Sequence, residues 1–477
     1  MVNNVRQPLI EEIFTQLSPL DLFELFRHEP HSFFLDSSMD PQKLGRYSFM
    51  GSNPFLVMSS RGRKVNIVED GMPSEIKGNP FDILGEYLEK YHLGVTDAPV
   101  SFVGGAVGYF SYDLCHFIER LPKTAVDDLK LPESYFGFYD LVLAYDNLLN
   151  KTYIVSTGFP EQDESRRLRH AQERLNEFKE KLALTSHNSV LFAENNNAVG
   201  KSELKGNFTH QDYVKAVARA RQYIIDGDIF EVNISQRFET RLTIPPWELY
   251  LRLRAINPAP FASYLGFDKV TIVSASPERF LRVQGDCVET RPIKGTVRRG
   301  KTPGEDTKNA RELLTSIKDH AENMMIVDLE RNDLGRVCHY GSVRVSELAI
   351  LEIFPTVFHL TSTVVGQLRP DKNRYDLLKA TFPGGSITGA PKVRSMEIID
   401  ELEPTRRSVY TGSIGYLSFD GNMDINIVIR TFIIKGNRAY FQVGGAVVYD
   451  SDTESEYQET LDKGRALVNA LNMAEPK

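Results

Sequence analysis

Phe382-Pro383-Gly384-Gly385-Ser386-Ile387-Thr388-Gly389-Ala390-Pro391-Lys392 is the stretch on which the reading of this chain turns. It is a glycine-rich loop running into an amphipathic segment, expected as a helix over 388–402, where Pro391 suits a first turn. Free N–H groups at a helix N-terminus suit a carboxylate or a phosphate. The spacing matches neither the Walker loop nor the dinucleotide fingerprint, and a tight turn with no ligand fits the same residues as well. Val443-Gly444-Gly445-Ala446 repeats the theme ahead of the last helix, again with backbone N–H groups suited to an anion.

Charged groups on either side of the loop occur at spacings that suit a binding site. Arg291-Pro292-Ile293-Lys294-Gly295-Thr296 puts a lysine in a Pro/Gly-punctuated turn that leaves a β-like run. Its amine is a nucleophile only when neutral, so burial or a nearby cation would have to lower its pKa. A lone lysine is otherwise solvated. Asp319/Glu322 and Glu456/Glu459 are acidic pairs at i,i+3, each sharing one helix face. Two such faces brought together could hold one hard divalent ion, because Mg²⁺ takes a few carboxylates plus waters and substrate oxygens. The competing reading is a solvated face, with Glu459 and Lys463 as an ordinary i,i+4 pair. Arg430 falls in Asn426-Ile427-Val428-Ile429-Arg430-Thr431, expected as an apolar strand. A charge there is paired structurally or faces a substrate carboxylate. His359, in Val357-Phe358-His359-Leu360, reads on pattern as a satisfied core histidine.

The whole chain sets the bounds. At 477 residues and 41% hydrophobic it can bury a large core. A net charge of −8 gives no general attraction to nucleic acid or an anionic membrane, so an anionic substrate must be captured locally. Three cysteines without CxxC spacing argue against a disulfide framework or a zinc site and fit a reducing cytoplasm. No signal pattern is seen over 1–12, and no apolar run is long enough for a membrane span.

Along the chain, helices are expected over 20–26, 161–182, 210–225 and 305–329, the last with Leu313, Leu314, Ile317, Ala321 and Met324/Met325 on its buried side. Strands are expected over 32–35, 46–50, 103–110, 270–274 and 342–345. Ser451 and Glu454 have capping-box spacing for a final helix. The polar run 185–207 reads as a linker between an amino-terminal region, 1–184, and a catalytic region, 208–477.

Taken together, the loop at 383–392, Glu397-Ile398-Ile399-Asp400-Glu401-Leu402-Glu403-Pro404, Thr411-Gly412-Ser413-Ile414-Gly415-Tyr416 and Glu456-Tyr457-Gln458-Glu459-Thr460 resemble the chorismate-utilising family. That family includes anthranilate synthase component I and aminodeoxychorismate synthase component I. The resemblance spans roughly 20–471. It implies a mixed α/β (α+β) fold, a large two-lobed β/α/α/β sandwich of the anthranilate synthase component I type, with chorismate and Mg²⁺ in a cleft. By the same resemblance Glu322 and Glu459 are direct Mg²⁺ ligands, with Asp319 and Glu456 acting through water. Arg430 and Tyr410 match positions holding the enolpyruvyl carboxylate. Lys463 and the Gly445–Ala446 backbone match positions holding the ring carboxylate. Gly295, Thr296, His359 and Ser386 line the site, and Glu278 is the acid/base candidate near the leaving hydroxyl.

Residue 294 separates the branches of that family. Anthranilate synthases resemble Pro-Ile-Ala-Gly-Thr there, and aminodeoxychorismate synthases carry lysine. Lys294 therefore implies attack at C2 of chorismate, then amination at C4 to 4-amino-4-deoxychorismate, a precursor of 4-aminobenzoate and folate. Ammonia is expected from a separate glutamine amidotransferase subunit, since no cysteine here lies in a glycine-flanked nucleophile turn. Two positions depart from the pattern. Glu231 stands where water-activating relatives have lysine and aminating ones resemble glutamine; Ala446 stands where glycine is usual. Leu35-Asp36-Ser37 and Pro260-Phe261-Ala262 match the family's tryptophan pocket with changes at Asp36, Phe261 and Ala262. The alternatives are anthranilate formation and a non-catalytic tryptophan-binding regulator.

Overall fold

The computed structural model describes residues 6–37, 39–94, 97–184 and 203–472. Two 12-stranded, antiparallel sheets carry the fold. In one, the strands run Leu9–Ile13, Lys151–Ser156, Leu141–Asp146, Tyr47–Gly51, Ser32–Asp36, Phe261–Phe267, Val270–Ser276, Thr431–Lys435, Arg438–Val447, Glu231–Arg241 and Lys205–Gly206. In the other, Ile293–Arg298 and Val357–Gln367 form one edge. Cys287–Arg291, Arg279–Gln284, Met423–Asn426, Ser413–Ser418 and Gly105–Phe110 continue it toward the amino-terminal strands.

Period-two patterning explains how the sheets stack. In the first sheet Phe33, Phe49, Ile272 and Ile433 enter one core, and their neighbours Phe34, Met50, Val273 and Ile434 enter another. The first set meets the second sheet directly: ring centroids lie 4.5 Å apart for Phe33 and Tyr139, 5.5 Å for Phe49 and Tyr416, and 4.5 Å for Tyr135 and Phe267. The other set is covered by helices Pro19–Phe23, Glu164–Leu184, Pro246–Ile256 and Thr453–Asn472 through Phe23, Phe178, Trp247 and Leu467. Helix Pro80–Lys90 covers the far face of the second sheet, with Phe81 on Phe110 at 5.5 Å. The class is mixed α/β as expected. The layers, however, run helix–sheet–sheet–helix, the reverse of the expected β/α/α/β order: the two sheets meet directly through these rings, and the helices cover their outer faces.

The two sequence regions interleave. Leu35 pairs with Ser263 in the first sheet, and Phe110 pairs with Ser413 in the second. Residues 185–202 of the expected linker lie outside the described residues; Lys205–Gly206, within it, is a short strand on Glu231–Arg241.

Several elements differ in detail. The expected helix over 305–329 is two, Pro303–Thr315 and Ile317–Gly335, broken at Ser316, whose side chain accepts from the Asp319 N–H. The break resets the helical phase. Leu313 is buried, but Leu314, Ile317, Ala321 and Met324 are exposed, and Asn323, Ile326, Val327, Glu330 and Leu334 turn inward instead. The helix expected from 388 begins at Lys392, because Gly389–Ala390 first pairs with Glu231–Val232. Ser451 does not cap the last helix. Its hydroxyl donates to Glu456, and Asp452 accepts from the Ser455 N–H. No helix among the described residues is long and apolar enough to cross a membrane. The three cysteines are free thiols.

Candidate active site

A cavity of about 370 Å³ opens where the edges of the two sheets come together. Strands Glu231–Arg241 and Arg438–Val447 supply one wall, and Ile293–Arg298 with Val357–Gln367 the other. Helices Ile317–Gly335 and Thr453–Asn472 add their carboxylates.

Lys294 reaches this cavity through a bulge. The register between Ile293–Arg298 and Val357–Gln367 shifts between Ile293 and Thr296, and Gly295 sits at φ +90°. A Cβ at 295 would also lie 3.1 Å from the Asp319 side chain, so only glycine fits. Lys294 is 7% exposed, and its Nζ donates to Glu231 Oε1 at 2.6 Å. Burial alone would push its pKa down, but the Glu231 pair outweighs this and the pKa is raised. The lowered value expected for a free amine is therefore not what the resting site has; Lys294 rests as an ammonium.

Glu278 is placed by the turn after Val270–Ser276, where Ser276 Oγ accepts its N–H and donates to the Ile427 carbonyl at 2.6 Å. Its carboxylate accepts from Ser386 Oγ at 2.6 Å and from the Ile293 N–H at 3.3 Å. Burial pushes its pKa up to about 7, against the opposing pull of these donors and of Lys294. Such a group can hold a proton near neutrality and release it.

The glycine-rich loop serves mainly as a brace rather than an open anion cradle. Its Gly385 N–H donates to Glu330 at 3.1 Å, Lys392 is bound to Asp333, and Ser386 alone sends its hydroxyl to Glu278. A buried pair that the sequence reading missed, Arg407 with Glu403, ties the loop to the neighbouring strand. Arg407 donates to the Ile387 and Asn233 carbonyls, and Glu403 accepts from Ser235. Its spacing is i,i+4 within ordinary polar sequence, so only its burial marks it out.

Arg430 lies just before strand Thr431–Lys435 rather than inside one, at φ +54°, and donates to the Lys463 carbonyl. It lines the cavity with Tyr410, whose phenol burial pushes up to about 12 and so keeps neutral. Lys463 Nζ bridges Glu459 at 2.6 Å and the Gly444 carbonyl at 3.1 Å. Thr296 Oγ1 and His359 Nδ1 are 2.7 Å apart; burial, with Arg430 and Lys463 nearby, lowers the His359 pKa to about 3. His359 is thus a neutral wall group, combining the core and lining roles.

Of the four expected carboxylates, Asp319, Glu322 and Glu459 line the cavity. Glu456 stands behind them, bonded to Ser451, and Gly445 makes room for it: a Cβ there would lie 3.1 Å from Glu456 Oε2. Gly444 and Ala446 therefore form the wall, with Gly445 facing the acids. Among the described residues no three acidic, His or Cys groups stand close enough to hold a metal unaided. The chemistry nonetheless fits a cation. Glu322 Oε1 and Glu456 Oε2 are buried without a hydrogen-bond partner, and burial raises both pKa values.

A second cavity of about 320 Å³ gathers Leu35, Asp36, Ser37, Pro260, Phe261 and Ala262. Asp36 accepts from Tyr250 Oη at 2.7 Å and from Arg254 Nε at 2.5 Å, which leaves its Oδ1 unpartnered. Ser37 Oγ donates to the Pro260 carbonyl at 3.1 Å.

Comparison with known proteins gives the family. The model of the family described as "chorismate binding enzyme" matches residues 34–469. Anthranilate synthase component 1 of Acetivibrio thermocellus is 41% identical over 98% of this chain and 95% of its own length. Aminodeoxychorismate synthase component 1 of Escherichia coli K12 is 38% identical over 98% and 97%. The crystal structure of anthranilate synthase component I from Streptococcus pneumoniae superposes with a TM-score of 0.79 at 32% identity, covering 96% of this chain and 99% of that one. The chain belongs to the chorismate-binding enzymes.

Proposed function

We propose that this chain aminates chorismate at C4 as an aminodeoxychorismate synthase component I. The observation that carries the reading is Lys294, an amine inside the cavity and within the electrostatic reach of Glu278. Among the cations lining the cavity, we assign Arg430 and Lys463 to the two substrate carboxylates. Glu322 and Glu459, with Asp319 and Glu456 through water, would hold Mg²⁺; Glu456 Oε2, buried without a hydrogen-bond partner, and Glu322 Oε1, whose cation contact is Lys318 at 3.7 Å, support that assignment. When bound, the ion would neutralise part of the substrate's charge and help keep it in register.

Lys294, once it has lost a proton, attacks C2. The C4–O bond breaks, and Glu278 donates its proton so that the hydroxyl leaves as water. Ammonia then bonds to C4, and the C2–Nζ bond breaks to return the lysine. Lysine divides one difficult displacement into two easier ones. Ser386 keeps the Glu278 carboxyl aimed, and neutral His359 with Thr296 shapes the wall. Ammonia comes from a separate glutamine amidotransferase subunit, and the chain works in the cytoplasm. The second cavity is read as a tryptophan pocket in which the free Asp36 Oδ1 meets the amino group. A second reading, anthranilate formation, is favoured by the 41% identity to an anthranilate synthase component 1. Lys294→Ala tests the covalent route: the substitution is expected to slow aminodeoxychorismate formation at least ~100-fold, and an unchanged rate would remove that route.

A further inference from the structure

Lys294 and Glu231 are 63 residues apart in sequence and meet as an ion pair in the cavity wall. Lys294 is 7% exposed and Glu231 fully buried. Lys294 lines the cavity, whereas Glu231 does not; the carboxylate stands behind the amine, away from the space a substrate would fill. Glu231 Oε1 receives Lys294 at 2.6 Å and Asn233 Nδ2 at 3.4 Å, and Oε2 has no hydrogen-bond partner. The glutamate backbone is fixed from the other side by the glycine-rich loop. Glu231 pairs with Ala390, and its carbonyl accepts from Ser395 Oγ at 3.0 Å. At Gly389, φ +142°, a Cβ would come within 2.1 Å of that carbonyl oxygen.

Stability does not account for this pair. A buried ion pair is generally no better than apolar side chains of the same volume, and an unpartnered carboxylate oxygen makes it worse. A dry ammonium–carboxylate contact can instead become a neutral amine beside a neutral acid, because burial penalises both charges and neither proton has to reach solvent. Among the described residues four carboxylates act on Lys294: Glu231 from its strand, Glu278 from the turn after Val270–Ser276, Glu322 from helix Ile317–Gly335 and Glu459 from helix Thr453–Asn472. Only Glu231 touches the amine.

We propose that Glu231 is the proton acceptor that frees the Lys294 lone pair for attack and returns the proton when the lysine is expelled. The inference rests on the amination reading above. One proton moves from Nζ to Glu231, giving a neutral amine and a neutral acid. The Nζ–C2 bond forms as the C4–O bond breaks, with the proton on the leaving oxygen coming from Glu278, and the lysine is left as a secondary ammonium. When ammonia bonds to C4 and the C2–Nζ bond breaks, the electron pair returns to Nζ as a neutral amine. Glu231 then restores its proton, and the new C4 ammonium reprotonates Glu278. The sum is chorismate plus ammonia giving aminodeoxychorismate plus water.

The test is a quenched-flow experiment on the full chain with chorismate and Mg²⁺ but no ammonia, reading the covalent adduct by intact mass. Wild type, Glu231→Gln, Glu231→Asp and Lys294→Ala are compared at several pH values. Glu231→Gln is expected to form the adduct ~100-fold more slowly at about pH 7, in the range typical of general-base removal. Its deficit should shrink as pH rises, because the amine must then lose its proton to solvent. Glu231→Asp, a shorter acid, should recover part of the rate with the wild-type pH dependence; this would not happen if the carboxylate only filled space. Adduct formation by Glu231→Gln at the wild-type rate, or a deficit constant with pH, overturns the proposal while leaving Lys294 as nucleophile. No adduct in wild type together with full activity in Lys294→Ala removes the amination-through-lysine reading itself.

Discussion

Glu278→Gln should make the protein more stable and less active, and the stability gain should depend on pH in a defined way. In the folded chain burial moves the Glu278 pKa from the ordinary 4.5 to about 7. Between those values the folded state holds a proton that the unfolded state has released, so Glu278 erodes stability as pH rises through this window. Each pH unit of displacement is worth about 1.4 kcal/mol, which puts the full penalty above pH 7 at about 3 kcal/mol. Glutamine keeps the acceptor for Ser386 and the Ile293 N–H but cannot ionise. Denaturant unfolding of wild type and variant should give nearly equal stabilities at about pH 4.5 and a gap that widens to about 3 kcal/mol by about pH 8. The same variant lacks the proton donor for the leaving hydroxyl, so its kcat should fall by ~10²- to 10⁴-fold. A stability gap that does not change with pH would refute the assigned pKa, and a variant with wild-type kcat would refute the acid role.

Arg430→Ala removes the half-buried guanidinium assigned above to a substrate carboxylate, and KM for chorismate should rise about 10- to 100-fold, measured by initial rates. Ala446→Gly removes a methyl from the cavity wall and should lower KM for chorismate about threefold, an effect direct titration would also show. Metal-free protein prepared with a chelator should be inactive until Mg²⁺ is restored. Glu322→Gln and Glu459→Gln should each raise the Mg²⁺ concentration for half-maximal activity at least ~10-fold; wild-type Mg²⁺ dependence in both would remove these side chains from the ion.

Much of the candidate site was legible because long ordered motifs elsewhere in the chain carry the resemblance that singles out its residues. Lys294, Glu278, Arg430, Tyr410 and Lys463 all reach one cavity, and the i,i+3 spacing does put Asp319 and Glu322 on one face. Other features depended on encounters that spacing does not encode. Glu231 was visible only as a departure from a pattern; its contact with Lys294 exists because the strand carrying it forms a wall of the same cavity. That contact also reversed the expected state of the lysine. The helix break at Ser316 escaped notice because a serine inside a helical pattern is ordinary, yet it acts as a cap and rotates the following turn, exposing Ile317 and Met324. The order of layers was hidden for a similar reason: strands apolar on both faces reveal burial but not which face meets a sheet and which a helix. The polar run at 185–207 suggested two regions in series, but strand pairing across it builds both sheets from both regions.

The central claim is amination at C4 by way of Lys294, and product identity tests it most directly. The purified chain would be incubated with chorismate, Mg²⁺ and ammonium at mildly alkaline pH, and the products resolved by chromatography and mass. Aminodeoxychorismate, converted to 4-aminobenzoate by an added lyase, is the predicted result. Anthranilate with pyruvate would contradict it and show that lysine at position 294 does not decide the reaction.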